Sequence, residues 1–93
     1  MKGRVEIAPR ARRQLEVITP EVRLRILLDI KVLEANPLHP SANVRKLKGF
    51  KSPTYRLRSG EFRAVFRVEK EVVVVAAVFD RKNLDKELRS LRN

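Results

Sequence analysis

Tyr55-Arg-Leu-Arg-Ser-Gly60-Glu-Phe-Arg-Ala-Val-Phe-Arg-Val68 reads as two strands joined by a tight turn, and its register decides the fold. Gly60 falls at the first central position of a two-residue turn, where the type II′ form needs positive φ. Ser59 then faces Phe62, Arg58 faces Arg63, Leu57 faces Ala64, Arg56 faces Val65 and Tyr55 faces Phe66. Inward residues meet inward residues, and one aromatic pair forms. A three-residue loop would put Phe62 opposite Arg58 and scramble the faces. With the shorter turn, alternation sends Leu57, Ala64 and Phe66 to one side and Arg56, Arg58, Arg63 and Arg67 to the other.

Two guanidinium groups directly opposite each other destabilise a sheet by up to about 1 kcal/mol, so an anion is expected over Arg58 and Arg63. If Glu69-Lys70-Glu71 forms the next turn, Arg63 lies across from Ala77. Arg81 then leaves the last strand on the same side and at the same end as Arg58 and Arg63. Small Ala77 beneath the three would leave room for a ligand. A charged strand face is ordinarily solvated surface, for which Lys would serve as well. Arg at all four strand positions points instead to bidentate contact with phosphate.

Outward from the hairpin, the charge is concentrated. Between Val44 and Arg67 stand Arg45, Lys46, Lys48, Lys51, Arg56, Arg58, Arg63 and Arg67 against the one acid Glu61, so this stretch carries most of the net charge of +11. A pI of about 11.1 implies a polyanionic partner, whether RNA, DNA, an acidic membrane surface or an acidic protein. With 93 residues and an apolar fraction of 43%, one domain spanning 1–93 is expected. The absence of cysteine excludes disulfides and thiolate metal sites, and the apolar run Val72 to Phe79 is too short to span a bilayer. No secretory segment is visible, and a cytoplasmic location is expected.

Lys2 to Ala8 reads as an opening strand with Val5 and Ile7 inward. Pro9, then Ala11, Leu15 and Ile18 at helical spacing, give a first helix ending near Ile18. Thr19-Pro20-Glu21 supplies an N-cap, a proline at the first helical position and an acid at the positive helix end, opening a second helix to about Ala35. Its many apolar residues predict packing on both the first helix and the sheet. Asn36-Pro37-Leu38-His39-Pro40-Ser41 forces a loop, in which His39 reads as a surface residue rather than a ligand. A short strand over Val44 to Leu47, the hairpin, and a buried strand over Val72 to Val78 follow, and Leu84, Leu88 and Leu91 mark a terminal helix. The fold class is α+β: an N-terminal strand, a two-helix hairpin and a three- to four-stranded, mainly antiparallel sheet with a short C-terminal helix, all helices lying on one face.

The acids are scattered and there is no histidine cluster, so neither a metal nor another cofactor is expected. A metal-free cleavage of RNA stays open, because the 2′-OH is a built-in nucleophile that needs alignment, charge neutralisation and management of two protons. Arginine can neutralise charge but cannot act as a base.

Lys46-Leu-Lys-Gly49, Tyr55-Arg-Leu-Arg58, Gly60-Glu-Phe-Arg-Ala-Val-Phe66 and a valine strand ending in Asp80-Arg-Lys82 resemble the RelE/ParE toxin superfamily of bacterial and archaeal toxin–antitoxin systems. The resemblance covers nearly the whole chain and implies a RelE-like fold. In the RelE branch, such proteins enter the ribosomal A site and cut messenger RNA by 2′-OH attack, leaving a cyclic phosphate. The resemblance implies that Arg63 stabilises the scissile phosphate with Arg81 beside it and Arg58 in the same catalytic set. Lys46, Lys48, Lys51, Arg56, Arg67 and Lys82 are expected to bind RNA. That branch also tends to carry a catalytic tyrosine or histidine near the C-terminus. Here Leu84, Asp85 and Glu87 occupy that region, and Tyr55, the only tyrosine, points inward. Lys82, Asp80 or Glu87 could carry protons instead, or phosphate electrostatics could act alone. A ParE-like member would bind DNA gyrase without cutting nucleic acid, and a non-catalytic RNA-binding module is the third reading. The implied partners are the ribosome, its mRNA and an acidic RelB-like antitoxin, joined with the toxin in a hetero-oligomer; the antitoxin is expected to contact the cationic face or displace the terminal helix. No membrane partner is expected.

Overall fold

A computed structural model describes residues 4–37 and 43–92. The elements are β1 (Arg4–Ile7), α1 (Pro9–Glu16), α2 (Pro20–Lys31), β2 (Val44–Leu47), β3 (Thr54–Ser59), β4 (Phe62–Glu69), β5 (Val72–Asp80) and α3 (Leu84–Arg92), with 3-10 turns at Val32–Glu34 and Arg81–Asn83. They form one five-stranded sheet in the order β1-β5-β4-β3-β2, with β1 parallel to β5 and the other pairs antiparallel. The fold is α+β as expected. His39 lies outside the described residues.

The β3–β4 hairpin has the expected register throughout, from Ser59↔Phe62 to Tyr55↔Phe66. Gly60 has φ of 58°, and Lys70 is the one non-glycine described residue with positive φ, so Glu61 keeps negative φ and the turn is of the II′ kind. Tyr55 stacks on Phe66 with ring centroids 5.6 Å apart. Between β4 and β5 the register differs from expectation. The turn is Lys70-Glu71, with Glu69↔Val72, and a bulge falls between Val65 and Phe66, where Ala76 is the extra β5 residue. Arg63 therefore pairs with Phe79, not Ala77. Because the two changes together move the register by two residues, Ala77 and Phe79 keep the parity of Arg63.

Two apolar layers close on this sheet. On one side Ala11 and Leu15 of α1 and Ile26 and Ile30 of α2, with Leu33, cover Leu57, Ala64, Phe66, Val73, Val75 and Val78. On the other side Leu88 of α3, flanked by Leu84 and Leu91, covers Val65, Ala77 and Phe79. The expectation that all helices share one face is thus corrected: α3 lies on the arginine side. Three apolar residues on that side needed cover, and the α3 leucines supply it. Ala77 is fully buried there, so its small side chain admits the helix and leaves no open hollow for a ligand.

Helix α2 also departs from expectation. Only one stripe is buried, and Leu24, Leu27 and Leu28 are exposed, because the helix touches the sheet on one side and no described element covers the other. Thr19 stands at its N-cap but makes no side-chain capping bond. The helix is held to the hairpin by Ser59 Oγ, which donates to Asp29 Oδ2 at 2.6 Å. Gln14 of α1 accepts from the Val78 N–H at 2.8 Å, satisfying β5 beyond the point where short β1 has ended.

Candidate nucleic-acid interface

Strand register builds the arginine side row by row. Arg58 stands opposite Arg63 at the hairpin end of the sheet, and Arg56, one pleat further along β3, stands opposite Val65. On its other edge Arg56 faces Arg45 of β2. Burial and the neighbouring cations Arg63, Arg45 and Arg58 lower the Arg56 pKa, and its Nε is buried with no hydrogen-bond partner. The Arg63 pKa is lowered first by burial and then by Arg58 and Arg81, while Glu61 and Asp80 push it back up. Arg56 and Arg63 stay cationic at neutral pH; their shifts record burial first and neighbouring positive charge second.

Arg81 opens the 3-10 turn after β5 and does sit in this group. Its backbone N–H donates to Glu61 O at 2.8 Å, and its Nε meets Glu61 Oε1 at 2.8 Å. Arg63 Nη1 donates to the carbonyls of Gly60 at 3.0 Å and Phe62 at 2.9 Å. The hairpin turn therefore gathers both guanidiniums with its own oxygens. The carboxylate in this group pairs with Arg81, while the hydrogen-bond acceptors of Arg63 are neutral carbonyls.

The other residues named from sequence are dispersed. Lys46 pairs with Tyr55 and lies on the opposite side of the sheet, so register removes it from the arginine face. Arg67 is on that face but at its far end, ion-paired with Glu69 at 2.9 Å. There it lines a cleft of about 300 Å3 with Lys51, Phe50 and Arg92. Lys48 contributes its carbonyl to Arg92 Nη2 at 3.1 Å. Lys82 is exposed beside Arg81, and its N–H is capped by Asp80 Oδ1.

Two participants were not read from the sequence. Arg45 could have been found by aligning Val44 with Leu57, which forces residue 45 to face Arg56. Glu61 was visible as the lone acid of the basic stretch, but its tie to Arg81 depends on how β5 ends. Of the three proton carriers considered, Glu87 is already committed: Arg10 Nη2 binds it at 2.6 Å and Gln14 Nε2 at 3.2 Å. Tyr55 lies across the sheet from the arginines, packed on the α1–α2 core. Among the described residues no cluster of three His, Cys, Asp or Glu could hold a metal, and no helix is long and apolar enough to cross a membrane.

A family model described as the ParE toxin of type II toxin–antitoxin systems matches residues 5–84. Among solved structures, the chain is similar to one from the archaeal RelE–RelB complex of Pyrococcus horikoshii, with 25% identity over 87% of this chain and 97% of that chain and a TM-score of 0.72. It is similar to a doubly mutated E. coli RelE toxin in the free state, with 25% identity over 97% of this chain and 93% of that one and a TM-score of 0.72. A chain of the RelB–RelE antitoxin–toxin complex of Methanococcus jannaschii shares the fold at 24% identity, covering 87% of this chain and 95% of that chain, with a TM-score of 0.70. No curated protein sequence matches.

Proposed function

The chain belongs to the ParE toxin family of type II toxin–antitoxin systems, within the RelE/ParE superfamily, and from that premise we propose that it is a cytoplasmic, ribosome-dependent endoribonuclease that cleaves mRNA without a metal. The observation that carries this reading is the gathering of Arg58 and Arg81 within electrostatic reach of Arg63 at one end of the sheet. In the proposed reaction the ribose 2′-oxygen bonds to phosphorus, the P–O5′ bond breaks, and a 2′,3′-cyclic phosphate and a 5′-hydroxyl result. Negative charge builds on the non-bridging oxygens, where Arg63 and Arg81 supply fixed positive charge. Arg58 and Arg56 hold the strand beside them. The 2′-OH proton and the proton gained by O5′ need another carrier, since guanidinium does not release one. Lys82 and Asp80, which flank Arg81 in the chain, are candidate carriers, and the ribosome is the other source.

Two observations favour a second reading. No tyrosine or histidine stands among the arginines of the described residues, and the matching family model is the ParE one. A protein of this shape that binds DNA gyrase and cuts nothing fits both facts. Expression in a translating extract separates the two. Ribosome-bound transcripts with new ends inside codons support cleavage, while intact transcripts with blocked supercoiling support gyrase inhibition and exclude the nuclease.

The neighbours crystallised as RelE–RelB complexes carry an antitoxin, and we extend such a partner to this chain. An acidic, partly disordered segment that folds on binding matches the net charge of +11. The exposed apolar strip of Leu24, Leu27 and Leu28 on α2 offers it a greasy seat away from the arginines.

A further inference from the structure

We propose that Glu61 is a positioning residue that occupies Arg81 in the unliganded protein and yields that seat to a phosphate oxygen of the bound RNA. The idea rests on the reading of the arginine face as an RNA surface. Glu61 belongs to the two-residue hairpin turn, and its two contacts with Arg81 are of different kinds. The Glu61 carbonyl takes the Arg81 N–H at 2.8 Å, a main-chain tie that fixes the end of β5 to the turn. The carboxylate takes Nε at 2.8 Å, and this second contact can change without the first.

A carboxylate and a phosphate present the same thing to a guanidinium: anionic oxygens that accept charge-assisted hydrogen bonds. Glu61 therefore stands where a ligand oxygen would bind. The side chains of Arg81 and Glu61 are 61% and 69% exposed, so water reaches both and the pair is weak enough to exchange. Arg63, by contrast, is held by two backbone carbonyls, which cannot swing away as a side-chain carboxylate can.

The arrangement resolves an electrostatic problem of the free protein. Arg58 and Arg81 both repel Arg63, and Glu61 and Asp80 are the carboxylates that offset them there. A phosphate oxygen that takes Nε displaces the Glu61 carboxylate, because the single Nε–H cannot serve both anions. Glu61 thus keeps Arg81 aimed while unliganded and lowers affinity for anions that cannot displace it.

The test uses the full chain, a fluorescein-labelled oligouridylate with 2′-O-methyl riboses that cannot be cut, and low salt. Glu61→Gln keeps the shape and the main-chain tie but loses the charge. It is expected to bind the probe roughly two- to fivefold more tightly, matching the weight of an exposed ion pair. In an Arg81→Ala background the same substitution should give no gain. The Arg81 Nε–Hε NMR resonance should exchange with water faster in Glu61→Gln, and should shift in the wild type as inorganic phosphate is added. No gain in the single variant overturns the proposal, as does a gain that survives Arg81→Ala, which would make Glu61 a diffuse charge only. A wild type whose Arg81 resonance responds to phosphate while the protein ignores RNA supports the exchange at Arg81 and removes the RNA reading instead.

Discussion

The two sides of the sheet are made by the same strands and reach opposite ends. Toward α1 and α2, β3, β4 and β5 present Leu57, Ala64, Phe66, Val73, Val75 and Val78 and the layer closes, with Phe66 and Val75 fully buried. On the reverse, apolar cover by α3 stops at Val65, Ala77 and Phe79, and the flanking positions Arg56, Arg58 and Arg63 are cations beside the helix. The first side sets the stability of the molecule. The second gives up some of that stability to hold like charges in fixed positions, an arrangement that suits a ligand and not a core.

Substitutions that separate stability from activity test this contrast. Phe66→Ala removes the largest fully buried side chain of the closed layer and should cost about 3–5 kcal/mol by chemical denaturation. A smaller loss would mean that the layer closes without it. Arg63→Ala combined with Arg81→Ala should lower cleavage in a translating extract by roughly a hundredfold to a thousandfold. The denaturation midpoint of that variant should barely move, and unchanged toxicity would remove both side chains from the mechanism. Leu88→Ala, in the thin cover supplied by α3, should cost about 2–3 kcal/mol, less than Phe66→Ala because one helix alone relaxes more easily. Arg58→Ala should have the smallest effect and the opposite sign: a gain of up to about 1 kcal/mol from removing the repulsion across from Arg63, shrinking as salt screens the pair. A loss of stability there would show that the arginine stem packs more than its charge repels.

Most of the closed side was legible in the sequence. Gly60 admitted one turn, that turn admitted one pairing, and the pairing put Leu57 on Ala64 and Tyr55 on Phe66. The reverse side was harder for a definite reason. Leu84, Leu88 and Leu91 announce an apolar stripe on a helix, but spacing says nothing of which face of a sheet receives it. The clue lay in Val65, Ala77 and Phe79, apolar residues sharing the parity of the arginines, which a solvated face would not have needed. The β4–β5 register failed at Ala76, since a run of valines and alanines aligns equally well at several offsets and only the bulge selects one. At the site, the parity of Arg58, Arg63 and Arg81 could be worked out, whereas the Glu61 contact required knowing where the last strand halts.

Gln14 has a consequence beyond its single bond. β1 covers only the first part of β5, so the stretch near Val78 would otherwise present a bare hydrogen-bonding rim to any passing polypeptide. A glutamine amide reaching across from a helix plugs that rim with one acceptor, and the buried β5 is denied a stranger's backbone. In this small, valine-rich protein, resistance to intermolecular zippering falls in part to one neutral side chain.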